Sequence, residues 1–272
     1  MTISNPTPQS ARTVQQLHDL RNRTALVTGG SRGLGLQMAH ALGEAGARLM
    51  LSARKADELA EAVAELRAAG IEADSIVADG GQEDQVLALA DNALERLGAV
   101  DILVNCAGTT WGAPAAEHPT TAWDKVMDVN ARASFVLARE LGRRSMIPRG
   151  HGRIINIASV AALGGTNGSM EALAYCASKG AVVAMTRALA CEWGPFGITV
   201  NAILPGIFPS RMSKHLTTPE RTAELTGAVP LRRFGDDEAL KGAVLLFASD
   251  AGKHITGQLL PVDGGVSAVV MD

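Results

Sequence analysis

From Thr24 onward, short apolar runs alternate with amphipathic stretches of helical period, and this rhythm restricts the chain to a layered α/β fold. The runs Thr24–Val27, Arg48–Leu51, Ser75–Val77, Asp101–Val104, Arg153–Ala158, Thr199–Leu204 and Leu259–Val262 have strand length. Between them the spacing predicts helices over about Leu34–Gly46, Lys55–Ala69, Glu83–Leu97, Thr121–Met146, Ala172–Trp193 and Glu238–Phe247. Parallel strands joined by right-handed crossovers wind doubly, so the expectation is a seven-stranded parallel sheet with helices on both faces. Ligands of such a sheet bind beyond the carboxyl ends of its strands. No composition shift, linker or repeat divides the chain, so residues 23–272 read as one domain and residues 1–22 as a partly disordered lead-in. Pro205 to Val229 breaks the rhythm and reads as a mobile segment over the site.

The first strand runs into Thr28-Gly29-Gly30-Ser31-Arg32-Gly33-Leu34-Gly35, which opens the first helix. Gly29 and Gly33 allow the backbone to approach a pyrophosphate at the helix N-terminus, and Gly35 allows close helix–strand packing. A glycine-rich stretch is otherwise only a tight turn. Its place between the first strand and first helix of a βαβ series is what makes it a dinucleotide site.

A second chemical signal comes from the single tyrosine, Tyr175, which stands four residues before Lys179. On a helix the two share a face one turn apart, where a cation favours phenolate. Lowering a tyrosine from about 10 to about 7 takes roughly 4 kcal/mol, of which one lysine supplies a part. The pair alone does not establish an enzyme.

Composition narrows the partners. A hydrophobic content of 47% with 29 glycines and 3% aromatics implies an interior of Ala, Val, Leu and Ile. The net charge of −3, with basic residues scattered, gives no pull toward nucleic acid or anionic membrane, so the expected ligand is a small molecule. Cys106, Cys176 and Cys191 lack paired spacing and read as reduced thiols. Cys176 fills a helix contact or, beside Tyr175, senses oxidants. The six histidines are far apart, so no metal site is expected. No apolar leader or run of 18 uncharged apolar residues occurs, and the expected location is cytoplasmic.

The glycine spacing Thr-Gly-x-x-x-Gly-x-Gly resembles the non-extended short-chain dehydrogenase/reductase family, and further motifs follow in the family's order along nearly the whole chain. Asn105-Cys106-Ala107-Gly108 is similar to the family's Asn-Asn-Ala-Gly, with Cys106 in place of the second Asn. Asn130 lies where the family has its helical Asn, Ser159 matches the catalytic serine, and Tyr175 with Lys179 match Tyr-x-x-x-Lys. Pro205-Gly206 and Val262-Asp263-Gly264-Gly265 are further landmarks. The resemblance implies a Rossmann-type dehydrogenase/reductase. In it Tyr175 is the acid or base, and Lys179 lowers the Tyr175 pKa and bonds the nicotinamide ribose. Ser159 holds the carbonyl oxygen, and the main chain at Asn130 holds a water that relays protons. Taken singly, Ser159 is a strand-end hydroxyl and Asn130 a helix-kink satisfier.

Cofactor contacts are implied for Gly29, Ser31, Arg32, Gly33, Leu34, Gly35, Asn105, Ala107, Gly108, Tyr175, Lys179, Pro205 and Gly206, and for Ser210, which resembles a Thr at the nicotinamide amide. At the end of the second strand, Leu51-Ser52-Ala53-Arg54-Lys55 has no carboxylate, and Arg54 with Arg32 can clamp a 2′-phosphate, so NADP(H) is expected. Asp79 resembles the adenine-contacting Asp or caps the next helix.

Enoyl reductases of this superfamily space Tyr and Lys more widely and extended epimerases are longer, so alcohol–ketone interconversion is expected. The pattern resembles bacterial 3-oxoacyl-thioester reductases first and gluconate-type dehydrogenases second, and a non-catalytic NADP-binding sensor or scaffold is the remote alternative. Trp111 and Phe208 line the substrate pocket or anchor their loops. Arg143, Arg144 and Arg149 suit a helix C-terminus, with an acyl carrier protein as the other reading. Family members are commonly tetramers, and the apolar tail Val266 to Met271 reads as buried against another subunit.

Overall fold

The computed structural model describes residues 11–165, 171–209 and 219–270. In chain order the described residues form α1 Val14–His18, β1 Thr24–Thr28, α2 Gly33–Glu44, β2 Arg48–Ala53, α3 Ala56–Ala68, β3 Ala73–Val77, α4 Glu83–Leu97 and β4 Ile102–Asn105. They continue as α5 Thr120–Met127, α6 Ala133–Leu141, α7 Ile147–Arg149, β5 Gly152–Ile157, α8 Leu173–Trp193, β6 Ile198–Pro205, α9 Pro219–Ala228, α10 Lys241–Ala248 and β7 Leu259–Val262. The sheet order is β3-β2-β1-β4-β5-β6-β7, and every pairing is parallel. Winding runs outward from β1 in one direction through β2 and β3, then restarts on its other side with β4. The crevice between β1 and β4 is therefore the switch point at which such sheets bind ligands.

Strand periodicity divides the core into two. Ala25 and Val27, with Leu49, Leu51, Ile102, Val104, Ile155 and Ile157, pack against α2, α3 and α10. Their sequence neighbours Leu26, Met50, Leu103 and Ile154 pack against α4, α6 and α8. Successive side chains point to opposite faces, so fully apolar strands need a helical layer on each.

Three features go beyond the sequence reading. The lead-in carries a helix over Val14–His18, where Thr13 and Gln16 form a reciprocal capping box, and Leu20 is buried in the first core. Residues 1–10 lie outside the described residues. The long helix expected over Thr121–Met146 is interrupted by widened turns at Asp128–Arg132 and Gly142–Met146 and runs on to Gly150, whose left-handed φ of 63° ends it. In the segment expected to be mobile, Pro219–Ala228 is helical.

Candidate active site

Two backbone turns at the switch point build the floor of the site. Gly29 and Gly33 have φ of +67° and +53°, a left-handed region costly for residues with a Cβ. A Cβ on Gly35 would lie 2.2 Å from the Gly29 carbonyl oxygen, while one on Gly33 would meet nothing within 4 Å. Gly35 thus closes the turn and Gly33 leaves its outer face open. Thr28, to which the sequence reading assigns no role, joins this turn to the next strand. Its hydroxyl accepts the N–H groups of Cys106 and Ala107, both at 3.1 Å.

Gly35→Ala is therefore expected to cost about 1–3 kcal/mol, since backbone must move to admit the methyl. The matching fall in melting temperature is roughly 3–10 °C. Calorimetry with a nucleotide titration checks this, and an unchanged melting temperature would show that the turn can yield.

The cleft of about 1530 Å³ runs from this turn across the carboxyl ends of the strands. It gathers Gly29, Ser31, Arg32, Gly33, Leu34, Gly35, Arg54, Asp79, Asn105, Ala107, Gly108, Ser159, Tyr175, Lys179, Pro205 and Gly206. Ser210 lies outside the described residues. Asn130 sits behind the wall, 1% exposed, in the first widened turn. Its side chain accepts the Thr109 N–H at 2.8 Å and donates to the Thr109 carbonyl at 3.0 Å and to Ser178 Oγ at 2.9 Å. Its carbonyl accepts from Ser134 Oγ at 3.1 Å. Asn105 also turns inward, donating to Asn156 Oδ1 at 2.9 Å, and Asn156 donates to Thr186 Oγ1 at 2.9 Å.

The chemistry-bearing groups meet where β5 and α8 approach. Ser159 follows β5; its Oγ accepts the Ala161 N–H at 3.2 Å, and its hydroxyl is hydrogen-bonded to Tyr175. One turn along α8, the Lys179 ammonium lies 5.7 Å from the centre of the Tyr175 ring and donates to the Ile157 carbonyl at 2.7 Å. A Cβ on Gly108 would be 3.5 Å from Asn130 Oδ1 and 3.7 Å from Lys179 Nζ, so these groups surround one small space.

Burial dominates the electrostatics here. It lowers Lys179 to about 8 and raises the Cys106 thiol to about 11. Tyr175 is also pushed up by burial, against the lowering hydrogen bond from Ser159. The sequence expectation is that Lys179 draws the phenol toward ionisation; in this structure the net direction at Tyr175 is upward, with burial its largest cause. Burial thus favours the protonated phenol.

Other sequence expectations change in detail. Asp79 does not cap α4, whose N-cap is Gln82; its carboxylate instead accepts the Gly81 N–H at 2.9 Å. Phe208, 6% exposed, anchors its loop in the first core against Gly235 while one edge borders the cleft, whereas Trp111 is 46% exposed on the cleft rim. Arg143 pairs with Glu140, Arg144 with Asp91 and Arg149 with Asp101, so all three arginines are engaged within the chain. The tail folds over its own cleft, with Val266, Ser267 and Val269 in the lining and Val270 exposed. Asp263 holds it there, accepting from the Gly265 and Ser267 N–H groups at 2.9 and 2.7 Å. Arg32 donates to both oxygens of Glu58 at 2.8 Å, a partner with no sequence signal because the two are 26 positions apart.

Among the described residues no three His, Cys, Asp or Glu side chains gather as a metal would require, and no helix is long and apolar enough to cross a membrane.

Residues 29–267 match the family model described as enoyl-(acyl carrier protein) reductase. The rhamnolipids biosynthesis 3-oxoacyl-[acyl-carrier-protein] reductase of Pseudomonas aeruginosa is 40% identical over 250 residues, spanning 90% of this chain and 96% of that protein. Gluconate 5-dehydrogenase of Gluconobacter oxydans is 38% identical over 253 residues, spanning 92% and 97%. Among solved structures, a gluconate 5-dehydrogenase from Burkholderia cenocepacia in complex with NADP and tartrate superposes with a TM-score of 0.89 at 36% identity, covering 95% of this chain and 100% of that one.

Proposed function

We propose that this chain, which belongs to the short-chain dehydrogenase/reductase family, is an NADP(H)-dependent oxidoreductase that interconverts a ketone and a secondary alcohol. The supporting observation is the meeting of Ser159, Tyr175 and Lys179 at one end of a cleft whose other end is the glycine turn. The residues present fit a dinucleotide: open backbone at Gly33 can receive a pyrophosphate, and Arg32 and Arg54 stand at the corner where a ribose phosphate would lie. Bound there, the nicotinamide supplies or accepts hydride.

The chain's own groups handle the proton. Ser159 orients the carbonyl oxygen toward the phenol, and Tyr175, protonated at neutral pH, donates to the alkoxide as it forms. Lys179, 4% exposed and lowered to about 8, exchanges a proton readily near neutrality, and Asn130 holds the loop above it through Thr109. A one-turn separation of Tyr175 and Lys179 argues for a carbonyl substrate rather than an enoyl one.

For the substrate we read a 3-oxoacyl thioester. The cleft lining includes the apolar Trp111, Val160, Leu163, Ile207, Val266 and Val269, and it carries a carboxylate, Glu171, as well as the cation Lys125. An aliphatic acyl chain suits these walls, whereas a sugar acid would bring its own carboxylate toward Glu171. The likeness to gluconate 5-dehydrogenases supports oxidation of a sugar acid as the second reading. Steady-state assays separate them: NADPH consumption with acetoacetyl-CoA is expected at a kcat/KM at least about tenfold above that for gluconate oxidation, and about tenfold above the rate with NADH. Faster gluconate oxidation would transfer the assignment to the second reading.

A further inference from the structure

The corner of the cleft at the end of β2 contains a carboxylate among its arginines. Glu58 rises from the first turn of α3, and its oxygens accept from Arg32 Nη1 at 2.8 Å each and from Lys55 Nζ at 3.0 Å. Its side chain is 14% exposed and that of Arg32 is 46% exposed, so the carboxylate is seated in the corner with the guanidinium at the rim. Arg32, Arg54, Lys55 and Glu58 all face the cleft. Three cations and one anion leave this corner with a net charge of +2, which a phosphate monoester of about −2 would neutralise. Carboxylate and phosphate seek the same guanidinium donors.

We propose that Glu58 is a specificity-determining residue that competes with the ribose 2′-phosphate for Arg32 and so limits the preference for NADP(H) over NAD(H). The proposal rests on the NADP(H) reading above. Glu58, as an internal anion, takes the guanidinium donors that the phosphate would use. When the phosphate arrives, Arg32 must be shared or surrendered, and two anions come to lie in one corner. Glu58 keeps Lys55 when this happens and lies in the first turn of a helix, where the dipole favours a carboxylate. A ribose with a free 2′-hydroxyl brings no such charge, so NAD(H) binding escapes the competition.

The test is the pair of dissociation constants for NADPH and NADH, measured by fluorescence titration of the full chain and of Glu58→Gln, which keeps the side chain's size. In the variant the NADPH constant is expected to fall at least fivefold while the NADH constant stays within twofold. The unchanged NADH constant also reports that the variant is folded. Weaker or unaltered NADPH binding, or equal tightening of both, would overturn the proposal. If the wild-type chain binds NADPH no more tightly than NADH, the cofactor reading itself fails and takes the proposal with it; a wild-type preference with an unresponsive variant sinks the Glu58 inference alone.

Discussion

Tyr175→Phe is expected to lower turnover about a thousandfold in either direction while changing NADPH affinity by less than about twofold, because a positioned general acid contributes 10²–10⁴. Only the phenol oxygen is lost, and the aromatic ring continues to fill its place beside Lys179. The pH dependence makes the prediction specific. Since burial raises Tyr175, the wild-type phenol is protonated throughout the neutral range, and carbonyl reduction should be nearly flat there. Alcohol oxidation needs phenolate, so its rate should climb with pH, and the climb should vanish in the Phe variant. Stopped-flow or steady-state rates across pH 6–9 check both limbs. A Phe variant within tenfold of wild type, or one that keeps the alkaline climb, would remove Tyr175 from the chemistry.

Much of this site is legible in the sequence because its signals are local. The Tyr175–Lys179 spacing needs only a helix, and the glycine turn needs only a strand before it and a helix after it, so neither depends on knowing the tertiary fold. Strand faces follow from alternation, as Leu26 and Val27 entering different cores shows. What the sequence conceals is set by packing between distant segments. Glu58 meets Arg32 only because α3 starts beside the glycine turn, and Thr28 reaches the Cys106 and Ala107 amides only because β1 pairs with β4. The widened turn at Asp128–Arg132 has no proline or glycine to announce it; it becomes visible only once Asn130 is seen bonded to Thr109 and Ser178. The direction of the Tyr175 shift was equally hidden, since adjacency of a cation can be read from spacing but the depth of burial cannot.

Lys179→Met is expected to give an enzyme that turns over more than about a hundredfold more slowly yet melts at a higher temperature at pH 7. The side chain is 4% exposed, and burial lowers its pKa from 10.5 to about 8. That lowering corresponds to roughly 3 kcal/mol of penalty for carrying the charge in the folded state. Below pH 8 both folded and unfolded chains hold the proton, and the penalty is present in full. Between about pH 8 and 10.5 the unfolded chain binds a proton that the folded chain releases, so wild-type stability rises with pH across that window. Methionine has similar length, fills the space and removes the penalty at every pH. Against this, the Ile157 carbonyl loses its 2.7 Å donor, which costs about 1–3 kcal/mol. The net gain at pH 7 is about 1 kcal/mol, or roughly 2–4 °C. The gap should shrink and then reverse as pH approaches 10.5, because the wild type sheds its penalty while the variant still lacks the hydrogen bond. Melting curves at pH 7 and pH 10 read this directly. A variant whose deficit or advantage is the same at both pH values would show that Lys179 is not a charge held at a cost, and that its place beside Tyr175 is ordinary packing.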